Sequence, residues 1–439
     1  MQCERQPIRK VGGGVMKTFK IGVFGSKRGR DIAKNFIKQN CEIVALCDSD
    51  IEMRDAAIRD LGDKVTVYDD FDKFIEHGMD AVIIANYFHE HAPYAIKCLE
   101  KGIHVFSECI SNGTMAEGIE LLRAAEKSDA IYMLAENYPQ MLFNIEMQRV
   151  CKAGTLGKIL YAEGEYNHPG NPYASNIVDV RRYLNPFVEH WRNTLPKSYY
   201  LTHSLGPLMR ATGATPKRVT AYNVFAPIEG NDIPSASRAG DSVSIMITQN
   251  DDGSVFRFTA NAAFGGEHNS YRICGKNGQI ENVRGMGNKV MLRYNSWNTP
   301  EGAHQDTLYE PSWNDPQESL IKSSGLGGGD FVTARMFLNC IKEGKQPEMP
   351  FDVKSAVTMS SVAILAHRSV LEGNKPFDIP DFNKEEDCKK YENDRLTPFH
   401  GTGGSEPTIR CSSNPNHKPS EEQLKLFKKL VMKIDEEEI

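Results

Sequence analysis

No apolar run in this 439-residue chain is long enough to cross a membrane: stretches such as "AVIIA" fall far short of the roughly 20 residues a spanning helix needs. The opening "MQCERQPIRKVGGGVMKTFK" has basic residues but lacks the apolar stretch of a signal peptide. The ten cysteines (3, 41, 47, 98, 109, 151, 274, 340, 388 and 411) form no CxxC pair, so neither a zinc site nor a redox dithiol is indicated. No other ligand spacing calls for a metal. A cytoplasmic protein in a reducing compartment, away from membranes, is expected. An excess of basic charge is missing too. With 52 Lys and Arg against 58 Asp and Glu, the net charge is −6, and no basic run is interleaved with aromatics, which argues against a nucleic-acid partner.

What is present is length for two domains and a change of texture between them. From Thr18, short β-branched runs alternate with amphipathic stretches: "FKIGVFG", "GRDIAKNFIKQ", "EIVALCD", "IEMRDAAIRDLG", then "DAVIIAN", "HAPYAIKCLEKG", "HVFSE" and "AIYMLAEN". This is the rhythm of βαβ units under a parallel sheet, with at least five strands by about residue 137. Beyond "MLFNIEMQRVCKAGTLG", which reads as a helix, come longer alternating segments: "KILYAEGEYN", "KRVTAYNVFA", "DSVSIMIT", "SVFRFTANAAF", "NSYRICGKNGQIENV" and "KVMLRYN". The turn signals Asp252-Gly253 and Asn277-Gly278 join some of them, and a largely antiparallel, half-exposed sheet follows. "FVTARMFLNCIKEG" and "VKSAVTMSSVAILAHRSVLEG" read as helices ending on Gly344 and Gly373 and packing back across the junction.

The expected class is therefore α/β: a doubly wound parallel sheet of the Rossmann type, then an α/β domain with a large open, mostly antiparallel sheet. The expected divisions are a flexible leader (1–16), a nucleotide-binding domain (17–137), a substrate and oligomerisation domain (138–382), and a linker with a terminal helix (383–439). The linker reading rests on "HGTGGSEPTIRCSSNPNHKPS", poor in apolar residues, and the helix on a capping-box pattern from Ser420 to Gln423.

"IGVFGSKRGRDIAKNF" places a glycine turn between the first strand and helix, where backbone N–H groups and the helix dipole can hold a pyrophosphate. The GxGxxG pattern is incomplete: Lys27 and Arg30 stand where glycines would be, and Gly25 and Gly29 enclose Ser26 and Arg28. Taken alone, the turn is equally a tight strand-to-helix connection. Asp48 then ends the second strand near the position, roughly 20 residues on, where a carboxylate binds the adenosine ribose hydroxyls. An acid there favours NAD over NADP, whose 2′-phosphate it would repel, although Arg28 or Arg30 could pair with a phosphate. A helix cap is the plainer alternative for Asp48.

This combination, with "AVIIANYFHEHAPYAIKCLEKGIHVFSE", "AENYPQM", "TLGKILYAEGEYNHPG" and "LGGGDFVTARMFLNCIKEGKQPEMPFDVKSA", resembles the glucose-fructose oxidoreductase, inositol dehydrogenase and rhizopine-catabolism (Gfo/Idh/MocA) family from about Lys17 to Phe382. Dehydrogenases of that family carry Glu-Lys-Pro where this chain has Glu108, Cys109 and Ile110. They carry an Asp-x-x-x-His pair where it has Thr202 and Gly206. The "THSLGP" segment containing His203, together with "HWR" and "EGEYNHPG", instead resembles the family's NAD-dependent glycosidases of the α-N-acetylgalactosaminidase type. That resemblance implies a redox-neutral route. NAD oxidises the sugar C3 hydroxyl, the ketone acidifies the C2 hydrogen, the C1 substituent is eliminated, water or another nucleophile adds, and NADH reduces C3 again.

Such chemistry needs bases and proton donors near neutral pH, and His203 is the first candidate, a helix-capping role being its plainer alternative. Tyr138 is the second, if a neighbouring cation lowers its pKa from about 10. The expected cofactor residues are Gly25, Ser26, Arg28, Gly29, Asp48, Asn86, His91, Glu108 and Asn137. Asn86, Glu108 and Asn137 follow strands whose carboxyl ends face the nicotinamide, whereas His91 reads as a packing or capping residue. His168, His190, Trp191 and Arg192 are the substrate-pocket candidates, since an indole stacks on a sugar and a guanidinium binds hydroxyls. Cys109 reads as a small, nonessential wall residue because a thiol near pKa 8.5 replaces lysine poorly. The leading expectation is an NAD enzyme that processes glycosides. Its alternatives are a simple NAD-dependent sugar or polyol dehydrogenase and a non-catalytic NAD-binding sensor. By the same resemblance, the partner is a small-molecule sugar or glycoside, and the chain forms a homo-oligomer, dimer or tetramer.

Overall fold

A computed structural model describes residues 18–62, 64–169, 191–225, 240–263, 265–401, 405–414, 416, 420–422, 424–425 and 429. His190 and the expected leader lie outside these residues. The first half runs β1 (Lys20–Phe24), α1 (Ser26–Ile37), β2 (Glu42–Cys47), α2 (Ile51–Leu61), β3 (Thr66–Tyr68), α3 (Phe71–Phe74), β4 (Ala81–Ile84), α4 (His91–Glu100), β5 (His104–Ser107), α5 (Met115–Lys127) and β6 (Tyr132–Leu134). These six strands pair in parallel in the order β3-β2-β1-β4-β5-β6. The order reverses between β1 and β4, and a crevice opens there at the carboxyl ends of the strands. Burial on both faces explains the apolar composition of β4. Ala81 and Ile83 enter one core cluster with Ile21, Val23 and Phe106, while Val82 and Ile84 enter the other with Ala45, Cys47 and Val105. The short strand β3, "TVY", has no pattern by which to announce itself; its pairing with β2 makes it a strand.

A 3₁₀ turn (Tyr138–Gln140) leads into α6 (Leu142–Lys152) and β7 (Ile159–Asn167). Then come α7 (Trp191–Thr194), a second 3₁₀ turn (Lys197–Tyr200), α8 (Thr202–Thr212), β8 (Pro216–Val224), β9 (Val243–Asn250), β10 (Val255–Asn261), β11 (His268–Gly275), β12 (Gly278–Asn282), β13 (Val290–Tyr294) and β14 (Asp306–Tyr309). The chain continues through α9 (Glu318–Lys322), α10 (Gly329–Glu343), α11 (Val353–Leu371), β15 (Phe377–Asp378) and α12 (Glu385–Tyr391). The second sheet has the order β14-β13-β12-β11-β7-β10-β9-β8-β15 and is antiparallel except for the β7–β10 pair. β7 shows why one face is open. Ala162, Gly164 and Tyr166 turn inward, while Glu163 and Glu165 turn outward to arginines of β10 and β11.

α10 stops at Gly344 in the left-handed conformation (φ 61°), and α11 is followed by Gly373 (φ 76°). α10 packs across the junction: Phe337 lies 6.2 Å from Phe36 and 5.2 Å from Phe106, both in the first domain.

The stretch expected to be a linker is not one in its described part. Arg368 forks onto both oxygens of Asp394, Ser413 donates to Asp241, and Phe399 is wholly buried. Low apolar content misled because one buried ring, an ion pair and a few hydrogen bonds do the anchoring. Of the expected terminal helix, residues 421, 422, 424, 425 and 429 are helical, with Leu424 N donating to Ser420 O.

Two histidines hold this segment. His367 Nε2 lies 2.6 Å from Arg410 O and His89 Nε2 lies 3.2 Å from His400 O. The ring nitrogen must donate to each carbonyl. Burial pushes both imidazoles down to about 4. The folded state therefore binds fewer protons than the unfolded chain between about pH 4 and 6.5, and stability falls as pH drops through that window. Each histidine contributes up to about 3 kcal/mol of that loss. Thermal melts from pH 7 to pH 4.5 should show a steep decrease in Tm, flattened in His367→Gln; an unchanged slope in that variant would contradict the assignment.

Candidate functional site

The glycine turn is built from steric necessity. Gly25 has φ 90°, and a Cβ there would sit 2.2 Å from Ala85 O; at Gly29 a Cβ would sit 2.6 Å from Val23. Both glycines thus serve close packing of α1 on the strands, the role of the last glycine in a full fingerprint. α1 begins at once with Ser26, whose N–H donates to Asp48 Oδ2 at 2.7 Å, while Asp50 N donates to Oδ1 at 3.0 Å. Asp48 therefore faces the helix start; the N-cap of α2 is Asp50. A cleft of about 1340 Å³ runs from this turn past β4, β5 and β6 to α7 and α8, and is lined by Gly25, Ser26, Asp48, Asn86, Glu108, Tyr138, Trp191 and His203 among others. This exceeds the volume of an ordinary small-ligand pocket. Two buried polar atoms on its wall, Ser26 Oγ and Asn86 Oδ1, have no partner in the protein. Orphaned atoms at a helix start and a strand end, with a glycine cradle between, fit a dinucleotide along this edge.

Arg28 departs from the phosphate-binding expectation. Its Nε donates to Glu108 Oε1 at 2.8 Å and its two Nη atoms to Asp330 at 2.8 Å each. Asn137 Nδ2 donates to the same Asp330 at 2.7 Å. Arg28, Glu108 and Asn137 are thus tied to α10, a link between the domains at the cleft floor. Arg30 lies 3.6 Å from Asp60. His91 is buried with Nδ1 2.7 Å from Ile110 O, and burial lowers its pKa, so it packs in keeping with its expected bland role.

The centre of the site is Glu136, a residue the sequence reading passed over. It lies just past β6 and is fully buried. His203 Nδ1 lies 2.9 and 3.0 Å from its two oxygens, Cys109 Sγ donates to Oε2 at 3.2 Å, Tyr138 N donates to Oε1 at 3.1 Å, and Thr202 adds a side-chain bond. Burial pushes the carboxyl up, but His203 and these donors outweigh it and hold Glu136 below the usual glutamate range. A carboxylate only accepts, so Nδ1 carries a proton and Nε2 is the histidine's other functional nitrogen. The helix-capping alternative for His203 fails, because its ring bonds Glu136 and α8 has no side-chain cap.

Small residues make this meeting feasible. A Cβ at Gly164 would lie 2.1 Å from Ser204 O, and one at Gly206 would lie 3.1 Å from Glu136 Cγ. Gly206 and Thr202 are the positions where the resembling dehydrogenases carry their His and Asp. Here the first leaves room for Glu136 and the second donates to it. The available signal was positional: Glu136 ends the β6 segment at the ligand edge of the sheet.

Aromatic rings surround His203. Tyr138 stacks on it at 4.2 Å, Tyr166 lies at 4.9 Å and Tyr200 at 5.6 Å. Tyr166 and Tyr200 were also missed, since a tyrosine in an alternating strand and one in a short turn both read as packing. Burial raises all three phenols, with the Glu136 charge adding to the effect on Tyr138 and Tyr166. The cation expected to lower Tyr138 exerts only a weak opposing pull, from Arg28. These phenols are therefore protonated at neutral pH and can serve as hydrogen-bond donors. Burial likewise raises Cys109 well above the usual thiol range, so its proton stays on sulfur. Beyond them, Trp191 stacks on Phe88 at 5.0 Å (15°), Phe88 on Tyr200 at 5.6 Å (1°), and the Arg192 guanidinium covers Trp191 at 4.5 Å. His168 lies at the exposed rim, 2.9 Å from Glu267. Among the described residues, no group of three His, Cys, Asp or Glu side chains is placed to hold a metal.

Residues 19–136 match the NAD-binding Rossmann fold of the Gfo/Idh/MocA oxidoreductase family, and residues 230–389 match the C-terminal domain of glycosyl hydrolase 109. The chain joins these two domains. An α-N-acetylgalactosaminidase of Shewanella oneidensis is 22% identical over 404 residues, covering 84% of this chain and 86% of that protein. A glycosyl hydrolase family 109 protein of Streptomyces niveus is 25% identical over 399 residues, covering 84% and 78%. Among solved structures, a levoglucosan dehydrogenase in complex with NADH and levoglucosan superposes with TM-score 0.70 at 17% identity, covering 83% of this chain and all of that one. The chain therefore has the NAD-binding oxidoreductase fold, and no helix among the described residues is long and apolar enough to cross a membrane.

Gly25→Ala should lower NAD affinity at least about tenfold, since Cβ must displace the Ala85 backbone at the cradle. Fluorescence titration with NADH measures this, and wild-type affinity in the variant would refute the placement of the pyrophosphate.

Proposed function

We propose that this protein is an NAD-dependent glycoside-processing oxidoreductase: it oxidises a sugar C3 hydroxyl and thereby enables loss of the C1 substituent without net redox change. The observation that carries the reading is the Glu136–His203 pair, set in one cleft with the cofactor edge and an aromatic wall. NAD, held by Ser26, Asp48 and Asn86, supplies the hydride acceptor and donor. His203 Nε2 takes the proton of the sugar hydroxyl, and the buried Glu136 stabilises the imidazolium that results. Tyr138 and Tyr166 hold their protons and donate them to developing oxyanions or to the leaving oxygen. Trp191, Phe88 and Tyr200, stacked on one another, form an aromatic wall against which the sugar packs, and the Arg192 guanidinium lying on Trp191 is the donor offered to its hydroxyls. Thr202 helps keep Glu136 ionised and fixed, and Cys109 adds one weak thiol bond among several.

The relatives' names favour a glycosidase outcome, and the aromatic wall suits a pyranose ring. A plain sugar dehydrogenase would use the same hydroxyl-activating pair but accumulate NADH. The non-catalytic alternative leaves the dyad without a purpose. All nine described cysteines are unpaired, which fits a reducing compartment. We place the contact of a homo-oligomer on the open face of the second sheet, where Tyr222 and Ile247 are exposed.

With a panel of α- and β-linked aryl glycosides, the expected result is aglycone release with no accumulation of NADH. NADH rising in step with sugar and no aglycone would establish the dehydrogenase instead. His203→Ala should lose about 100-fold or more in turnover, whereas Cys109→Ala should keep most of it; the reverse ranking would overturn the assignment.

A further inference from the structure

The segment that follows the second domain reaches the cleft from outside both matched regions, the later of which ends at residue 389. Phe399 is its anchor. The ring is wholly buried, stacked on His89 at 4.5 Å (20°) and edge-on to Tyr199 at 5.2 Å (90°). His89 follows Phe88 in the chain and Tyr199 precedes Tyr200, and Phe88 and Tyr200 stack on each other within the sugar wall. Phe88, His89 and Tyr200 line the cleft, and His89 and Tyr199 carry the ring contacts to Phe399. The bond from His89 Nε2 to His400 O closes the arrangement, and His400 and Gly401 then emerge as part of the cleft lining.

We propose that Phe399 is a positioning residue for the sugar-stacking wall and that His400 contacts the bound pyranoside at the cleft lip. The C-terminal segment is on this account a determinant of substrate selection that neither matched domain supplies. The physical reason is that Phe88 and Tyr200 belong to different domains and hold their stack at the cleft wall only while their neighbours are held in register. Phe399 wedges between those neighbours. Its removal leaves a cavity into which His89 and Tyr199 relax, tilting the rings that meet the substrate.

This inference rests on the proposed sugar-processing function, and one set of measurements separates the two. Steady-state kinetics on the full-length wild type, Phe399→Ala, Phe399→Leu and His400→Ala, with the aryl glycosides that the wild type turns over, give KM and kcat; NADH titration gives cofactor affinity in each. The expected result for Phe399→Ala is a KM raised about tenfold with kcat changed less than about threefold and wild-type NADH affinity, and for Phe399→Leu an intermediate KM. His400→Ala removes the ring at the lip and keeps the backbone carbonyl that His89 bonds, so it should alter the ratio of kcat/KM between aglycones without loss of folding. Unchanged KM in Phe399→Ala together with unchanged aglycone preference in His400→Ala overturns the inference while leaving the function standing, as does a fall in NADH affinity parallel to the rise in KM. A wild type that turns over no glycoside or free sugar overturns both.

Discussion

The site depends on a carboxylate placed where water cannot reach it. Isolated in the interior, the charge of Glu136 would be prohibitive, and it is tolerated because donors converge on both oxygens. Those donors come from β5's end, the backbone after β6, and α8, so the bonds that neutralise the charge also fix three elements relative to one another. The histidine gains its orientation and tautomer from the same contact. One electrostatic requirement thus organises both the packing and the chemistry.

A second charge cluster lies beside it on the cleft floor. Arg28 joins Glu108 to Asp330, and Asn137 binds the same aspartate. Glu108 also accepts the N–H of Cys109 at 2.8 Å. Cys109 therefore stands between two carboxylates, its backbone held by one and its thiol by the other. A thiol in that position is useful as a neutral donor, which is why the loss of the customary lysine does not empty the site. A lysine there would compete with His203 for Glu136.

Much of the fold was legible because burial imposes periodicity. The two-faced apolar runs of β1, β4 and β5, the alternation along β7 to β13 and the glycine stops of α10 and α11 are local patterns. Asp48 and His203 were legible as polar residues at a strand end and a helix start. Glu136, Tyr166 and Tyr200 were not, because a glutamate after a strand, a tyrosine in an alternating segment and a tyrosine in a short turn look the same whether they face a cleft or solvent. Arg28 was misread for a related reason: a basic residue in a glycine turn reads as a phosphate partner until α10, some three hundred residues later, brings Asp330 to it. The packed segment around Phe399 escaped because its attachments are one ring, an ion pair and scattered hydrogen bonds, which leave no periodic trace.

By itself, then, the sequence determined the two-domain α/β architecture, the dinucleotide edge and the preference for NAD, since these follow from short-range patterns of apolar spacing, glycine placement and one acid at a strand end. Only the tertiary structure decided which side chains meet at the candidate site. Glu136 and His203 are far apart in the chain and meet because Gly164 and Gly206 admit α8 to the sheet and to Glu136, and protonation is set by the burial and partners that only this meeting creates.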